Sequence, residues 1–167
     1  MTDDFDSFFR SRTPALLRTA YLLTGDRHLA EDLVQDALAR TFRMWQRLAD
    51  GGHPEAYARR VMYHLQVSFW RRRRVAESMP GELPERHDRA DYAEATVERL
   101  TLRRALLALP ARQRAVVVLR YFEDRSEAET ADILNCRVGT VKSHTARALS
   151  RLRELMPEIE LAAGVDR

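Results

Sequence analysis

The stretch SEAETADILNCRVGTVKSHTARALSRLRE, Ser126 to Glu154, has the pattern of a helix-turn-helix. Ser126 and Glu129 have the S-x-x-E spacing of a capping box, in which each side chain bonds an unpaired amide at the start of a helix. That helix is expected to end near Asn135, because asparagine tolerates the left-handed conformation that closes many helices. A second, longer helix is predicted from about Gly139.

The second helix is amphipathic. One apolar arc at 3.6 residues per turn is formed by Val141, Ala148, Leu149, Leu152 and Leu155. The opposite side consists of Lys142, Ser143, Ala146, Arg147 and Ser150. A short, polar and basic side suits the major groove, where side chains of a helix reach base edges. The alternative is an ordinary helical pair with a solvated face; the capped helix and tight turn that precede it favour DNA binding.

Charge is unevenly distributed along the 167 residues, although the formal net charge is only +3. Residues 1–75 contain 13 arginines against 9 acids, residues 76–96 contain 2 arginines against 6 acids, and residues 97–167 contain 13 lysines and arginines against 10 acids. Two basic blocks therefore flank an acidic one. Because phosphate contact depends on local charge, this distribution indicates a nucleic-acid partner.

Several classes of protein are not indicated. The single Cys136 excludes an internal disulfide, and the five histidines show no metal-ligand spacing with it. The sequence has no strand alternation, phosphate-cradling glycine loop or nucleophile elbow. We therefore expect no catalytic residues, no metal, no cofactor and no enzymatic activity. No apolar run resembles a signal peptide or membrane span, which predicts a cytoplasmic protein without a membrane partner.

Three helices are predicted in the N-terminal part. The first covers about Phe5 to Leu23, and the second runs from a cap at Asp26 to roughly Leu48. The second helix has a buried arc made of Leu33, Val34, Ala37, Leu38, Thr41 and Trp45. Its opposite side is predicted to be exposed and consists of Asp32, Gln35, Asp36, Ala39 and Arg43.

The third helix is predicted to begin at Pro54. The predicted core stripe of this helix comprises Tyr57, Ala58, Val61, Met62, Leu65 and Phe69. The residues predicted to face outward are Arg59, Arg60, Tyr63, Val67 and Trp70, and Arg71 to Arg74 end the helix. Exposed rings interleaved with arginine are typical of a surface for single-stranded nucleic acid. The alternative is that the arginine run complements the helix dipole while Tyr63 and Trp70 pack against a neighbouring helix. This segment alone leaves both open.

The fold class that follows is all-α, with two small helical domains joined by an acidic flexible linker. We predict a domain at 1–75, a linker at 76–92, a four-helix domain ending in the helix-turn-helix at 93–157, and a tail at 158–167. The linker is indicated by Pro80, Gly81 and Pro84 and by its scarcity of large apolar residues.

Four segments follow one another in the chain: AEDLVQDAL (30–38), SFWRRRR (68–74), LPARQRAVVVLRYFED (109–124) and SEAETADILNCRVGTVKSHTARAL (126–149). In this order, and with the acidic linker between the second and the third, they resemble the extracytoplasmic-function sigma factors of bacterial RNA polymerase, of the compact actinobacterial SigE-like type. The resemblance covers about residues 5–156.

The resemblance implies three binding surfaces. The first docks on the core RNA polymerase, at the clamp helices of its largest catalytic subunit, and consists of Asp32, Gln35, Asp36 and Arg43. The second recognises and melts the minus-ten promoter region and consists of Asp50, His53, Arg59, Arg60, Tyr63, His64, Trp70, Arg71 and Arg72. The third reads the minus-thirty-five element and consists of Arg137, Thr140, Lys142, Ser143, Ala146 and Arg147.

Three further points come from the resemblance. The loop 50–53 matches the position of the family's pocket for a flipped base. A pocket that binds one flipped base contributes both to opening of the DNA duplex and to sequence specificity. His64 stands where relatives commonly have asparagine. The acidic linker resembles the segment that threads the polymerase toward the RNA exit.

The predicted function is thus a non-enzymatic initiation factor whose partners are core RNA polymerase (clamp helices and flap), promoter DNA and, as a further candidate, an anti-sigma factor. Two alternatives are a stand-alone helix-turn-helix regulator that binds a palindrome as a dimer, and an interaction decoy that does not bind promoters.

Overall fold

A computed structural model of the chain describes residues 2–77 and 97–157. These two ranges are called the N-terminal half and the C-terminal half below. The predicted tail, and all but the first two residues of the predicted linker, lie outside the described residues.

The described residues form helices and contain no β-strand, which confirms the all-α class. The N-terminal half contains α1 (Thr2–Thr24), α2 (Arg27–Arg43), α3 (Trp45–Ala49) and α4 (Pro54–Glu77). The C-terminal half contains α5 (Val97–Leu107), α6 (Ala111–Val117), a π-helical turn (Val118–Phe122), α7 (Glu127–Leu134) and α8 (Val138–Leu155).

Local signals place the start of α2. Gly25 has a φ of +67°, a left-handed conformation that favours glycine, and a Cβ there would meet the end of the Leu107 side chain in α5. Asp26 then caps α2 by accepting a hydrogen bond from the Leu29 amide at 2.8 Å. The prediction that a cap at Asp26 begins the second helix is confirmed.

The prediction that this helix continues to about Leu48 is wrong. The helix α2 ends at Arg43, Met44 leaves the helical conformation, and the separate short helix α3 begins at Trp45. The break turns Trp45 toward the start of α1. Its ring meets that of Phe5 edge-on at a centroid distance of 5.1 Å and that of Phe8 at 5.2 Å. Aromatic contacts of this kind add to the burial of the rings.

The largest apolar cluster combines side chains from both halves. The N-terminal half contributes residues such as Leu16, Val34 and Met62, which are buried between α1, α2 and α4. The C-terminal half contributes Ala115, Val118 and Leu119, with Ile133 and Leu134 packed against them. The two halves therefore lie against each other and share apolar packing.

A buried arginine joins the halves at this cluster. Arg114, in α6, is 2% exposed. Its guanidinium donates to four backbone carbonyl oxygens: Leu106 (2.8 Å), Leu107 (3.0 Å), Leu109 (3.0 Å) and, in α1, Leu23 (2.5 Å). It also lies 4.8 Å from the centre of the Trp70 ring in α4, within cation–π range. Burial lowers the pKa of Arg114 to about 10, which leaves it charged at neutral pH.

We predict that Arg114→Leu strongly destabilises the protein. The substitution leaves buried carbonyl groups without a donor, and such groups cost about 1–3 kcal/mol each. The free energy of unfolding, measured by urea titration with circular dichroism at pH 7, should fall by about 3 kcal/mol or more. Arg112→Leu, an exposed position in the same helix, is the control and should change it by under about 0.5 kcal/mol. Equal losses in both variants would contradict the role given to Arg114.

Candidate nucleic-acid interface

The helix-turn-helix forms as its sequence predicts. The Ser126 hydroxyl accepts from the Glu129 amide at 3.1 Å, and the Glu129 carboxylate accepts from the Ser126 amide at 2.8 Å, which completes the capping box. Asn135 closes α7 in the left-handed conformation, with a φ of 51°. The next helix begins at Val138, one residue before the predicted start. These ends fix the angle at which α8 leaves the turn.

The polar side of α8 faces away from the protein. Val141, Ala148 and Leu152 of the predicted apolar arc are buried, and Leu149 is half-buried. Leu155 is 40% exposed, so its place in the buried arc was predicted wrongly, because it is the last residue of α8. Of the six residues predicted to read the minus-thirty-five element, five are exposed and Thr140 is half-buried; the exposed ones are Arg137, Lys142, Ser143, Ala146 and Arg147. We call these six residues the α8 polar face. It is short-chained and basic, and it occupies the N-terminal part of the helix.

The polar side of α2 is also open. Asp32, Gln35, Asp36 and Arg43, the α2 polar face, are all exposed. Asp32 and Asp36 line a groove of about 240 Å³ between α2 and α4, to which Phe69 and Arg72 also contribute. Phe69 was predicted to belong to the core stripe of α4 and is instead 38% exposed. It lies at the rim of this groove because the core ends before the last turns of α4.

The nine residues predicted to contact the minus-ten region divide into two groups. Six are exposed: Asp50, His53, Arg60, His64, Arg71 and Arg72. The other three, Arg59, Tyr63 and Trp70, are covered because α6 and α7 pack on this side of α4, and Glu123, which follows the π-helical turn, contacts Arg59. Tyr63 is 0% exposed, so the prediction that it faces outward is wrong. The alternative, in which Tyr63 and Trp70 pack against a neighbouring helix, describes the structure.

A buried ion pair lies at the centre of the covered part. The Arg59 guanidinium contacts the Glu123 carboxylate and also lies 2.9 Å from Glu55. The side chains of Arg59 and Glu123 are only 12% and 6% exposed. The Thr19 hydroxyl of α1 donates to Glu123 at 2.8 Å. Burial alone would lower the pKa of Arg59, but Glu123 and Glu55 outweigh it and raise that pKa.

Two other contacts flank this pair. Tyr63 is buried beside it, and burial, with the Glu123 carboxylate adding to it, raises the pKa of Tyr63 well above its ordinary value. Its hydroxyl has no hydrogen-bond partner among the described residues. Nearer the surface, Arg60 pairs with Asp132 of α7 at 2.6 Å. Acidic side chains of the C-terminal half thus hold two adjacent arginines of α4.

Beside the covered part is an open basic cleft of about 440 Å³. Its polar lining residues are Arg40, Arg60, His64, Ser68, Arg71 and Arg72, and no acidic side chain lines it. We call this the basic cleft. Sequence reasoning missed Arg40 because it lies on α2, and only the packing of α2 against α4 brings it beside the other three arginines.

A small cavity of about 170 Å³ lies where α4 meets the turn before α8. Its lining includes His64, Cys136 and His144. Burial, followed by Arg112 and Arg147, lowers the pKa of His144, and burial raises the pKa of the Cys136 thiol, so both are neutral at pH 7. Within residues 2–77 and 97–157, no three His, Cys, Asp or Glu side chains form a group that could hold a metal. No helix in the same ranges has the length and apolar character of a membrane span.

The sequence matches two family descriptions, Sigma-70 region 2 over residues 8–75 and Sigma-70, region 4 over residues 99–152. It is 42% identical over 160 residues to the RNA polymerase sigma-E factor of Streptomyces coelicolor, covering 96% of this chain and 90% of that protein.

Two solved structures are similar over nearly the whole chain. The sigma factor RpoE of Bartonella quintana, in complex with the anti-sigma factor NepR, has a TM-score of 0.69 and 28% identity, with 98% of this chain and 99% of that one covered. CnrH, in complex with the cytosolic domain of CnrY, shares the fold with a TM-score of 0.63 and 22% identity, with 94% and 90% covered.

The chain therefore belongs to the sigma-70 family, as an extracytoplasmic-function sigma factor of the sigma-E type. It is an alternative sigma factor that directs transcription initiation by RNA polymerase, and the family consists of non-catalytic initiation factors.

The capping box makes the stability of this interface dependent on pH. Hydrogen bonds from Ser126, first its backbone amide and then its hydroxyl, hold the pKa of Glu129 below its ordinary value. A carboxylate with a lowered folded pKa stabilises the fold at neutral pH, and this contribution is lost as the pH falls through the folded pKa. Glu129→Gln should therefore be less stable than the wild type at pH 7, with the difference disappearing in acid.

Urea unfolding at a series of pH values measures this difference. Glu127→Gln lies in the same turn but outside the capping box, and this control should keep the part of the pH dependence that comes from Glu129. A stability difference between Glu129→Gln and the wild type that stays constant from neutral pH into acid would contradict the assignment.

Proposed function

We propose that this sigma factor uses three separate surfaces: the α8 polar face for the minus-thirty-five element, the α4 side with the basic cleft for the minus-ten region, and the α2 polar face for core RNA polymerase. The observation that carries the proposal is the placement of an open basic helix-turn-helix face and a separate arginine cleft in one chain of this family. A protein that reads two promoter elements needs two such surfaces.

The α8 polar face suits duplex DNA. Lys142, Ser143 and Arg147 project from the N-terminal part of α8, where major-groove readers place their base contacts. Lys142 lies 3.6 Å from Glu127, and the two side chains are 64% and 36% exposed, so DNA phosphates can replace this weak pair. The small Ala146 lets the backbone of α8 approach the bases closely.

The basic cleft suits the backbone of a single strand. Arg40, Arg71 and Arg72 form no ion pair among the described residues, which leaves their guanidinium groups available to phosphates. Arg40 extends the surface from α4 onto α2. Asp50 and His53, exposed in the loop before α4, are assigned to the flipped base, whose extraction from the stack costs a few kcal/mol.

The α2 polar face is assigned to the clamp helices of the largest polymerase subunit. Its two carboxylates stand one helical turn apart beside the groove that Phe69 borders, so a partner helix gains apolar and polar contacts together. We also propose an anti-sigma partner, supported by the similarity to RpoE, which was solved with NepR. The protein acts in the cytoplasm and uses no cofactor of its own.

Transcription reconstituted from this protein, core RNA polymerase and a genomic fragment library tests the function. Specific initiation without any other factor is the expected result. Protection of palindromic sites in the absence of core polymerase would instead indicate a stand-alone regulator, and core binding without initiation would indicate a decoy.

We predict that promoter binding and core polymerase binding can be weakened independently by mutation. Arg147→Ala should weaken promoter binding by about 1–3 kcal/mol if it contacts a base edge, while core affinity stays unchanged. Reversal of both charges in Asp32→Lys/Asp36→Lys should weaken core binding and leave the helix-turn-helix intact.

Fluorescence anisotropy with labelled core polymerase, and electrophoretic mobility shifts of the holoenzyme on a selected promoter, measure the two effects. Arg151→Ala is the matched control for Arg147→Ala, because it lies one turn further along α8 on an exposed position away from the proposed contacts. If Arg147→Ala and the Asp32/Asp36 variant reduced both activities equally, the proposed separation would be wrong.

A further inference from the structure

A buried glutamine lines the groove between α2 and α4. Gln66, in α4, is 1% exposed and shares the groove with Asp32, Asp36 and Phe69. Neither its side-chain nitrogen Nε2 nor its oxygen Oε1 has a hydrogen-bond partner among the described residues. A buried carboxamide without partners costs free energy that an apolar side chain of the same length would avoid. Packing of the free chain therefore does not account for a glutamine at this position.

We propose that Gln66 is a recognition residue for core polymerase: a polymerase helix lying on the α2 polar face inserts an asparagine or glutamine side chain into the groove, where it pairs with the Gln66 carboxamide. This inference rests on the proposed assignment of the α2 polar face to core polymerase. It adds a residue of α4 to that surface and gives the chemistry of the side chain that meets it.

The two atoms of the Gln66 carboxamide determine which side chain fits. Nε2 donates and Oε1 accepts, so one partner satisfies both only if it carries an acceptor and a donor side by side. A carboxamide carries both, whereas a guanidinium or ammonium group has no acceptor and a carboxylate has no donor. The groove also disfavours a carboxylate, because Asp32 and Asp36 outnumber Arg72 among its charged lining residues. The backbone of a partner helix is excluded because its amides and carbonyls bond each other.

The walls and rim of the groove suit the same partner. Leu29, Leu33 and Leu65 line it and offer apolar contacts to the methylene groups of the entering side chain. Asp32 and Asp36 are exposed, so they favour a partner helix with a basic residue close to its carboxamide. The expected partner is therefore a helix that carries asparagine or glutamine next to lysine or arginine.

Access to the Gln66 carboxamide requires one local movement. Both of its polar atoms are covered in the free chain. Phe69 lies three residues further along α4, which makes it a neighbour of Gln66 on the helix surface. Its side chain is 38% exposed, so the ring can turn toward solvent with little loss of buried area. This turn opens the way from the α2 polar face to Gln66.

Gln66→Met in the full chain tests the proposal, because methionine is unbranched like glutamine but has no carboxamide. Binding to immobilised core polymerase is measured by biolayer interferometry, and stability by the midpoint of urea unfolding. Thr130→Val is the matched control. Thr130, in α7, is 0% exposed, and its hydroxyl also has no hydrogen-bond partner among the described residues, but it does not line the groove.

The proposal predicts that Gln66→Met has an unchanged or higher urea midpoint than the wild type and binds core polymerase about tenfold more weakly. The loss of affinity arises because the partner's carboxamide is left buried and unpaired. Thr130→Val should keep the wild-type affinity. A lowered urea midpoint in Gln66→Met would show a structural hydrogen-bonding role and overturn the proposal.

Wild-type core affinity of Gln66→Met would also overturn it. The variant Asp32→Lys/Asp36→Lys then separates this failure from that of the proposed function. Weakened core binding by that variant would leave the α2 polar face assigned to core polymerase, and unchanged binding would remove that assignment as well.

The partner side chain is identified by changing each asparagine and glutamine of the clamp helices to leucine in turn. One of these changes should weaken binding of the wild-type sigma factor about tenfold and have no further effect on Gln66→Met, as expected for two residues in contact. Coupling of Gln66 to a basic residue alone, or to no residue of the clamp helices, would overturn the carboxamide pairing.

Discussion

The packing of one half against the other depends on a buried guanidinium. Arg114 belongs to the C-terminal half, yet it donates to the last turn of α1 through Leu23 and lies against Trp70 of α4. Its four carbonyl partners replace the water that a charged group loses on burial. Without that replacement, the apolar contacts of Ala115, Val118 and Leu119 with the N-terminal half would surround an uncompensated charge. This contact therefore helps to hold α6 against α1 and α4.

The same packing divides the surfaces of the sigma factor into open and covered ones. The α8 polar face and the α2 polar face are open, so their proposed partners can reach them without a rearrangement. The side of α4 that carries Tyr63 is covered.

Features set by neighbouring residues could be predicted from the sequence. The capping box at Ser126, the left-handed Asn135 and the cap at Asp26 are local hydrogen bonds or conformations, and all three are present. The amphipathic patterns of α2 and α8 also gave the correct buried sides, because each helix buries a single continuous stripe.

Features that depend on residues distant in the sequence could not be predicted. The sequence of the α4 side that carries Tyr63 and Trp70 is compatible with stacking on bases or with packing on another helix, and only the packing of α6 and α7 against α4 decides between the two. Arg40 joined the basic cleft for the same reason. The break at Met44 accompanies the contact of Trp45 with Phe5, forty residues earlier, and a contact so distant leaves no local pattern in the sequence.

The central claim is that the two halves are packed together in the free chain through Arg114 and the apolar cluster beside it. The direct measurement is the distance between spin labels at Arg10→Cys on α1 and Arg153→Cys on α8, in a Cys136→Ser background, by double electron–electron resonance. The account predicts one short, narrow distance in this background and a longer, broader distribution when Arg114→Leu is added. A broad distribution that Arg114→Leu leaves unchanged would contradict it.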